Sequence, residues 1–265
     1  MQVLGHEISA VAIDIDGTMA ATLDVSRQGF AVLKRLTEAG IPVIVITGRS
    51  ESAALSIADE AGITAPVISC NGSMTTDPVT RERLDVHPMD PEEVGRMLER
   101  TKALDLQPFV WDVDGIWTDR YTEATQELEH RNSQKLIVSE PPSSWGEVVK
   151  IMVSAEPEHL DSVQTGLEDF PQLQRCLPNF MEASAAGFSK WAALKAVLGR
   201  LGVDPANVLG FGDGDTDVEW LSAIGLPVAV ENAAEDVHAI AAHTIGHHSE
   251  DSVAGFLEDA LDGKL

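Results

Sequence analysis

Residues 8–13 form a short, mostly apolar run that ends directly on Asp14-Ile15-Asp16-Gly17-Thr18. A strand buried on both faces of a parallel sheet reads this way, with no polar alternation along its length. Residues 41–46 and 66–69 repeat the pattern. Between the three runs lie two helical stretches. Residues 25–39 place Phe30, Val32, Leu33 and Leu36 on one side and stop at Gly40; residues 50–61 stop at Gly62. Strand–helix–strand alternation of this kind implies a parallel sheet with right-handed crossovers, that is, an α/β domain.

The rhythm breaks after Asn71-Gly72. Shorter apolar runs and more charge follow. A helix is predicted over 91–104, and a hairpin over 109–111 and 116–118 around Asp114-Gly115. A strand is predicted over 148–153, a helix over 157–167, and a closing hairpin over 172–177 and 180–183. The α/β rhythm then resumes with helices over 189–201, 217–224, 233–242 and 251–261 and strands over 208–211 and 227–230. The expected organisation is a Rossmann-like, doubly wound parallel-sheet core from 1–80 and 186–265, with an α+β module inserted at 81–185.

Composition narrows the function classes. The 265 residues carry 18 Lys+Arg against 43 Asp+Glu, a formal charge of −25. No basic stripe offers itself to nucleic acid or to an anionic membrane. The apolar runs are strand-length and too short to cross a bilayer. Cys70 and Cys176 have no metal-ligand spacing and read as free thiols, and the N-terminus lacks the basic and apolar regions of a secretory signal. A cytoplasmic protein acting on a small molecule is therefore expected, with its oligomeric state left open. An acidic surface repels an anionic substrate, so a site for one needs local positive charge.

Ligands of open parallel sheets bind outside the carboxyl ends of the strands. Three strand ends and one helix start carry suitable groups: Asp14 and Asp16; Thr47-Gly48-Arg49; Lys190; and Gly212-Asp213-Gly214-Asp215-Thr216-Asp217. Carboxylates crowded at one point repel unless a cation neutralises them, and an all-oxygen site suits magnesium. A carboxylate beside such a cation can attack phosphorus, and a second one two residues on can serve as acid and then base. A hydroxyl, backbone amides and one lysine can hold the phosphoryl oxygens.

In this order, these residues resemble the four motifs of the haloacid dehalogenase (HAD) superfamily. The module between the second and third motifs resembles the class IIB cap of Cof-type sugar phosphatases, as does the tail around Asn232-Ala233 and Glu250-Asp251-Ser252-Val253-Ala254. The resemblance covers essentially the whole chain. It implies Asp14 as nucleophile and magnesium ligand, and Asp16 as general acid/base whose backbone carbonyl also binds magnesium. It implies Thr47, Gly48 and Lys190 around phosphate, Asp213 and Asp217 at the metal, and Arg49 and Asn71 as candidate substrate contacts. It implies, too, a magnesium-dependent phosphatase of a small phosphorylated metabolite such as a sugar phosphate, with an aspartyl-phosphate intermediate and a cap that closes during turnover. A phosphomutase of the phosphomannomutase type is the nearest alternative; a non-catalytic binding protein on the same core is the other. Two positions depart from the family: Thr216 stands where it has Asn, and His248 or Ser249 where it has a late Asn.

Some residues attract a plainer reading. Asp112-Val113-Asp114-Gly115 spells the first motif without its threonine and is read as a hairpin turn. Asp215 is read as a solvated loop residue, and His247 and His248 as loop histidines. Trp111, Trp117 and Trp145 are read as packing residues of the inserted module.

Overall fold

The computed structural model describes every residue except 22 and 143. The chain divides into two compact units: Met1–Asp85 with Ser189–Leu265, and Val86–Phe188.

The first unit is built on a parallel sheet of five strands, ordered His243–Thr244, Leu226–Ala229, Val208–Gly212, Ala10–Ile13, Val43–Val45. Ile13 pairs with Val45 on one side and Phe211 on the other. Ile46 bridges Ile68 in parallel, which brings strand Val67–Ser69 alongside. Side chains alternate between two apolar layers. Val11, Ile13, Val43, Val45, Leu209 and Phe211 face one core, shared with helices Arg27–Glu38, Glu51–Ala61 and Ser252–Leu261. Ala10, Ala12, Ile44, Ile46 and Val208 face the other, shared with helices Lys190–Leu201 and Val218–Leu221. Burial on both faces is what makes these strands read as unbroken apolar runs.

From Ala10–Ile13 the chain crosses to Val43–Val45 on one side, and later returns at Val208–Gly212 on the other. The strand order thus reverses beside Ile13, which opens a crevice at the carboxyl ends of these strands.

The second unit has a six-stranded sheet, ordered Ile137–Val138, Gly115–Thr118, Gln107–Asp112, Val148–Ser154, Phe180–Ser184, Gln174–Leu177. It is antiparallel apart from the parallel pair at Ile137–Val138 and Gly115–Thr118. Helices Pro91–Ala103 and Pro157–Val163 bury Val94, Met97 and Leu160 against Val110, Ile151 and Val153. Trp117 and Trp145 pack edge to face at 5.1 Å in this core. Trp111 differs: Lys150 Nζ lies 4.4 Å from its ring centre, and its buried indole N–H has no partner among the described residues. Asp112 Oδ1 accepts from the N–H groups of Asp114 and Gly115 at 2.8 and 3.0 Å, which makes Asp112–Gly115 the hairpin turn expected of it.

Several elements differ from the sequence reading. Helix Glu123–Asn132 was not anticipated, because its sequence is polar and Leu128 is its only large buried apolar side chain. What holds it is tertiary. Gln107 Nε2 donates to Thr118 Oγ1, the Arg120 carbonyl and Thr125 Oγ1, while Gln107 Oε1 accepts from the Thr122 hydroxyl that opens the helix. The helix predicted over 217–224 shortens to Val218–Leu221 after a 3-10 turn at Asp215–Asp217. The one predicted over 233–242 shortens to Glu235–Ile240, because the chain leaves it to pair His243 with Val228. Strand Met74–Thr76 pairs with Val67–Ser69 and was also not anticipated. Among the described residues no helix is long and apolar enough to cross a membrane.

Candidate active site

Asp14 is the first residue beyond strand Ala10–Ile13, and its N–H donates to the Phe211 carbonyl at 3.0 Å. That bond ties the end of this strand to strand Val208–Gly212, two residues before Asp213. After Asp14 the chain turns tightly through Ile15–Met19, with Gly17 at φ 77°. A Cβ on Gly17 would lie 2.3 Å from Asp213 Oδ2, so the turn closes against Asp213 only with glycine there. Thr18 completes the junction, its hydroxyl donating to Asp213 Oδ1 at 2.7 Å.

Lys190 enters from a third segment. Ser189 caps helix Lys190–Leu201 by accepting the Ala192 N–H at 3.2 Å, so Lys190 occupies the first helical position. A cation is unfavourable against a helix N-terminus. Here the ammonium is held instead by two carboxylates, Asp14 Oδ1 at 2.7 Å and Asp217 Oδ1 at 2.8 Å. All three side chains are buried, at 4%, 6% and 1% exposure. Asp217 Oδ2 accepts the N–H groups of Asp213 and Gly214 at 3.1 and 3.0 Å, and its Oδ1 also accepts the Trp220 indole N–H at 2.8 Å.

Asp14, Asp213 and Asp217 each offer an oxygen within 4.8 Å of the others, the one such group among the described residues. Three carboxylates face one ammonium. Burial pushes Asp14 well above the usual carboxylate range; Lys190 pulls it down, and Asp217 and Asp213 raise it further. Burial likewise lifts Asp213 to about 6, against the Thr18 hydrogen bond that lowers it. Burial alone would lower Lys190, but the carboxylates of Asp14 and Asp217 outweigh it and hold the ammonium charged. This donor set is all oxygen and carries excess negative charge, which fits a hard divalent cation.

The other expected site residues fall around this centre. Ile46 N–H donates to the Ile13 carbonyl at 2.9 Å, so Thr47-Gly48-Arg49 leaves its strand beside Asp14. Thr47 is buried and its Oγ1 accepts the Arg49 N–H at 3.1 Å. Asn71, in the left-handed region at φ 57°, donates its N–H to the Thr47 carbonyl at 3.1 Å. A Cβ on Gly48 would lie 2.9 Å from Asn71 Oδ1. Arg49 grips Asp16 with two parallel bonds of 2.9 and 2.8 Å and also reaches the Leu23 carbonyl. The Asp16 side chain therefore points to Arg49 and stands outside the carboxylate trio. Asp215 is exposed.

Three residues to which the sequence assigns no role in the site hold it together. Trp220 bonds Asp217. Asn232 Nδ2 donates to the Gly17 carbonyl at 2.8 Å, and Asn232 Oδ1 accepts the His248 N–H at 3.1 Å. The His248 ring Nδ1 lies 2.8 Å from the Ala20 carbonyl oxygen. His248 is thus a fastening between the late loop and the Asp14 turn, not the solvated loop residue expected. The one signal for it was its position where the resembled family has a late Asn.

Comparison with known proteins identifies the family. The sequence profile of the haloacid dehalogenase-like hydrolases matches residues 11–257. A phosphoglycolate phosphatase of Methanopyrus kandleri is 29% identical, over 96% of this chain and 97% of its own. The 5-amino-6-(5-phospho-D-ribitylamino)uracil phosphatase YitU of Bacillus subtilis is 24% identical, over 94% and 96%. Pyridoxal phosphate phosphatase YbhA of Escherichia coli is also 24% identical, over 95% and 98%. Among solved structures, a haloacid dehalogenase-like hydrolase from Bacteroides thetaiotaomicron superposes with a TM-score of 0.87 at 22% identity, over 96% of this chain and all of the other. With the profile spanning nearly the full length and the strand-end carboxylates gathered on one lysine, the chain belongs to the haloacid dehalogenase-like hydrolases, as a Cof-type phosphohydrolase.

Proposed function

We propose that this protein is a magnesium-dependent phosphatase that hydrolyses a small phosphorylated metabolite, such as a sugar phosphate, by way of an aspartyl-phosphate on Asp14. The observation that carries the reading is the buried Lys190 ammonium bridging Asp14 and Asp217 at the point where the strand order reverses. With a divalent cation on the three carboxylates, it would give an anionic substrate the local positive charge that a protein of net charge −25 does not offer at long range. The phosphatase relatives support the class of reaction; their different named substrates leave the metabolite itself to be found by assay.

Asp14, Asp16, Asp213 and Asp217 would hold magnesium, which would supply Lewis-acid charge neutralisation. The chain does the rest. The Asp14 carboxylate attacks phosphorus, and the bond from phosphorus to the ester oxygen breaks. Asp16, once released from Arg49, protonates the departing oxygen. Asp16 then takes a proton from water, which attacks the phosphorus and frees inorganic phosphate, returning the Asp14 carboxylate. Thr47, the Gly48 amide and Lys190 hold the phosphoryl oxygens while charge builds on them. Arg49 and Asn71 line the approach to that phosphate.

The test is release of inorganic phosphate from 4-nitrophenyl phosphate and from a panel of phosphorylated metabolites, with and without magnesium. Turnover that needs magnesium and vanishes in Asp14→Asn supports the reading. Turnover undiminished by EDTA, or conversion of a hexose phosphate to its isomer with no free phosphate, overturns it.

A further inference from the structure

Trp220 lies three residues past Asp217, on the short helix Val218–Leu221, and is fully buried. Its indole N–H donates to Asp217 Oδ1 at 2.8 Å, the same oxygen that takes Lys190 Nζ at 2.8 Å. The other oxygen of Asp217 takes two backbone N–H groups, from Asp213 and Gly214. Asp217 is therefore gripped by four donors from two segments of chain. Two are amides of its own loop, and the lysine comes from 27 residues away. The indole, three residues on, is the local side chain that holds Oδ1.

The fold makes room for that indole. Gly210 sits in the middle of strand Val208–Gly212, where glycine weakens a strand and needs a reason. A Cβ there would lie 2.5 Å from the Trp220 ring and 2.3 Å from Ile224 Cδ1. The missing side chain lets the indole lie flush against the strand, with its N–H turned toward Asp217. A buried indole N–H needs an acceptor, and a carboxylate is a strong one.

We propose that Trp220 is a positioning residue of the phosphoryl-transfer site, acting through Asp217 to aim Lys190. Without the indole, Asp217 Oδ1 is left to Lys190 alone and attracts the ammonium more strongly. The balance against Asp14, 2.7 Å from the same ammonium, is then lost. The ammonium shifts toward Asp217 and away from Asp14 and the phosphoryl oxygens. The kinetic part of this inference rests on the phosphatase reading; the contact itself does not.

The experiment compares Trp220→Phe, which keeps a ring but removes the donor, with Ile224→Val, which loosens the same packing without touching Asp217. With 4-nitrophenyl phosphate and magnesium, Trp220→Phe is expected to lower kcat roughly tenfold while KM moves less than twofold. Ile224→Val is expected to lower the melting temperature but keep kcat within twofold. In parallel, the assigned indole proton of Trp220 is followed by NMR in otherwise wild-type protein and in Lys190→Met, where it is expected to shift. This arm needs neither turnover nor the Phe variant. If Trp220→Phe keeps full kcat, if both packing variants lose kcat in proportion to their melting temperatures, or if the indole proton ignores the loss of Lys190, the inference is wrong. A wild-type protein that releases no phosphate would overturn the phosphatase reading, and the NMR arm would then decide the coupling alone.

Discussion

Asp14 and Lys190 stand 176 positions apart in the chain and 2.7 Å apart in space. The chemistry of the site follows from that meeting. Replacing Asp14 by Asn keeps the shape and removes the proposed nucleophile, so phosphate release is expected to fall on the order of 10⁴-fold with the circular dichroism spectrum intact. A variant that retains even a tenth of the wild-type rate would place the nucleophile elsewhere. The raised pKa values of Asp14 and Asp213 carry a second consequence. A carboxyl whose folded pKa lies above its unfolded value holds a proton that the unfolded chain has already lost. Without bound metal, its contribution to stability therefore falls as pH rises through about 6, the value for Asp213. At the proposed site magnesium would displace those protons, so the rise in melting temperature on adding magnesium is expected to be small at pH 5 and larger at pH 7.5. A rise of equal size at both would mean that the cation binds somewhere other than this trio.

At the scale of elements, the turn Ile15–Met19 is tightly constrained. Gly17→Ala meets two obstacles at once: a left-handed φ of 77°, and an added Cβ 2.3 Å from Asp213 Oδ2. The expected cost is about 1–2 kcal/mol of stability in urea melts, together with loss of the magnesium-induced rise in melting temperature. Retention of that rise would show that the turn need not touch Asp213. Helix Glu123–Asn132 offers a contrasting case, because it is held at its start by Thr122, whose hydroxyl accepts the Thr125 N–H at 3.4 Å and donates to Gln107 at 2.6 Å. Thr122→Ala is expected to cost about 1 kcal/mol. A melting temperature equal to wild type would show that the cap contributes nothing.

Across the whole molecule, the net charge of −25 sets the long-range field. On the proposed function, an anionic substrate is repelled until it reaches the short range of Lys190 and the proposed magnesium. Salt screens that repulsion over roughly 10 Å at 0.1 M. With magnesium held constant, kcat/KM for 4-nitrophenyl phosphate is expected to rise as sodium chloride goes from 10 to about 150 mM, with kcat little changed. A fall would mean that a positive field around the site governs approach.

Most of the first unit was legible because its strands are buried on both faces and its helices on one, so burial writes itself into the residue pattern. The runs ending at Ile13 and Ile46 show this, as does the stripe of Val32, Leu33 and Leu36. The candidate site was legible because its groups sit at strand ends and a helix start, which local pattern locates. What local pattern does not contain is contact between distant segments. Glu123–Asn132 is helical because Gln107 reaches it, and His248 holds the Asp14 turn through Asn232 and Ala20. Arg49 closes on Asp16 across a gap that no periodicity encodes. The sequence alone therefore determined the α/β core and the inventory of acids, lysine and hydroxyls. Only the tertiary structure decided which of them share a bond, because hydrogen bonding is directional and depends on where the folded backbone aims each side chain.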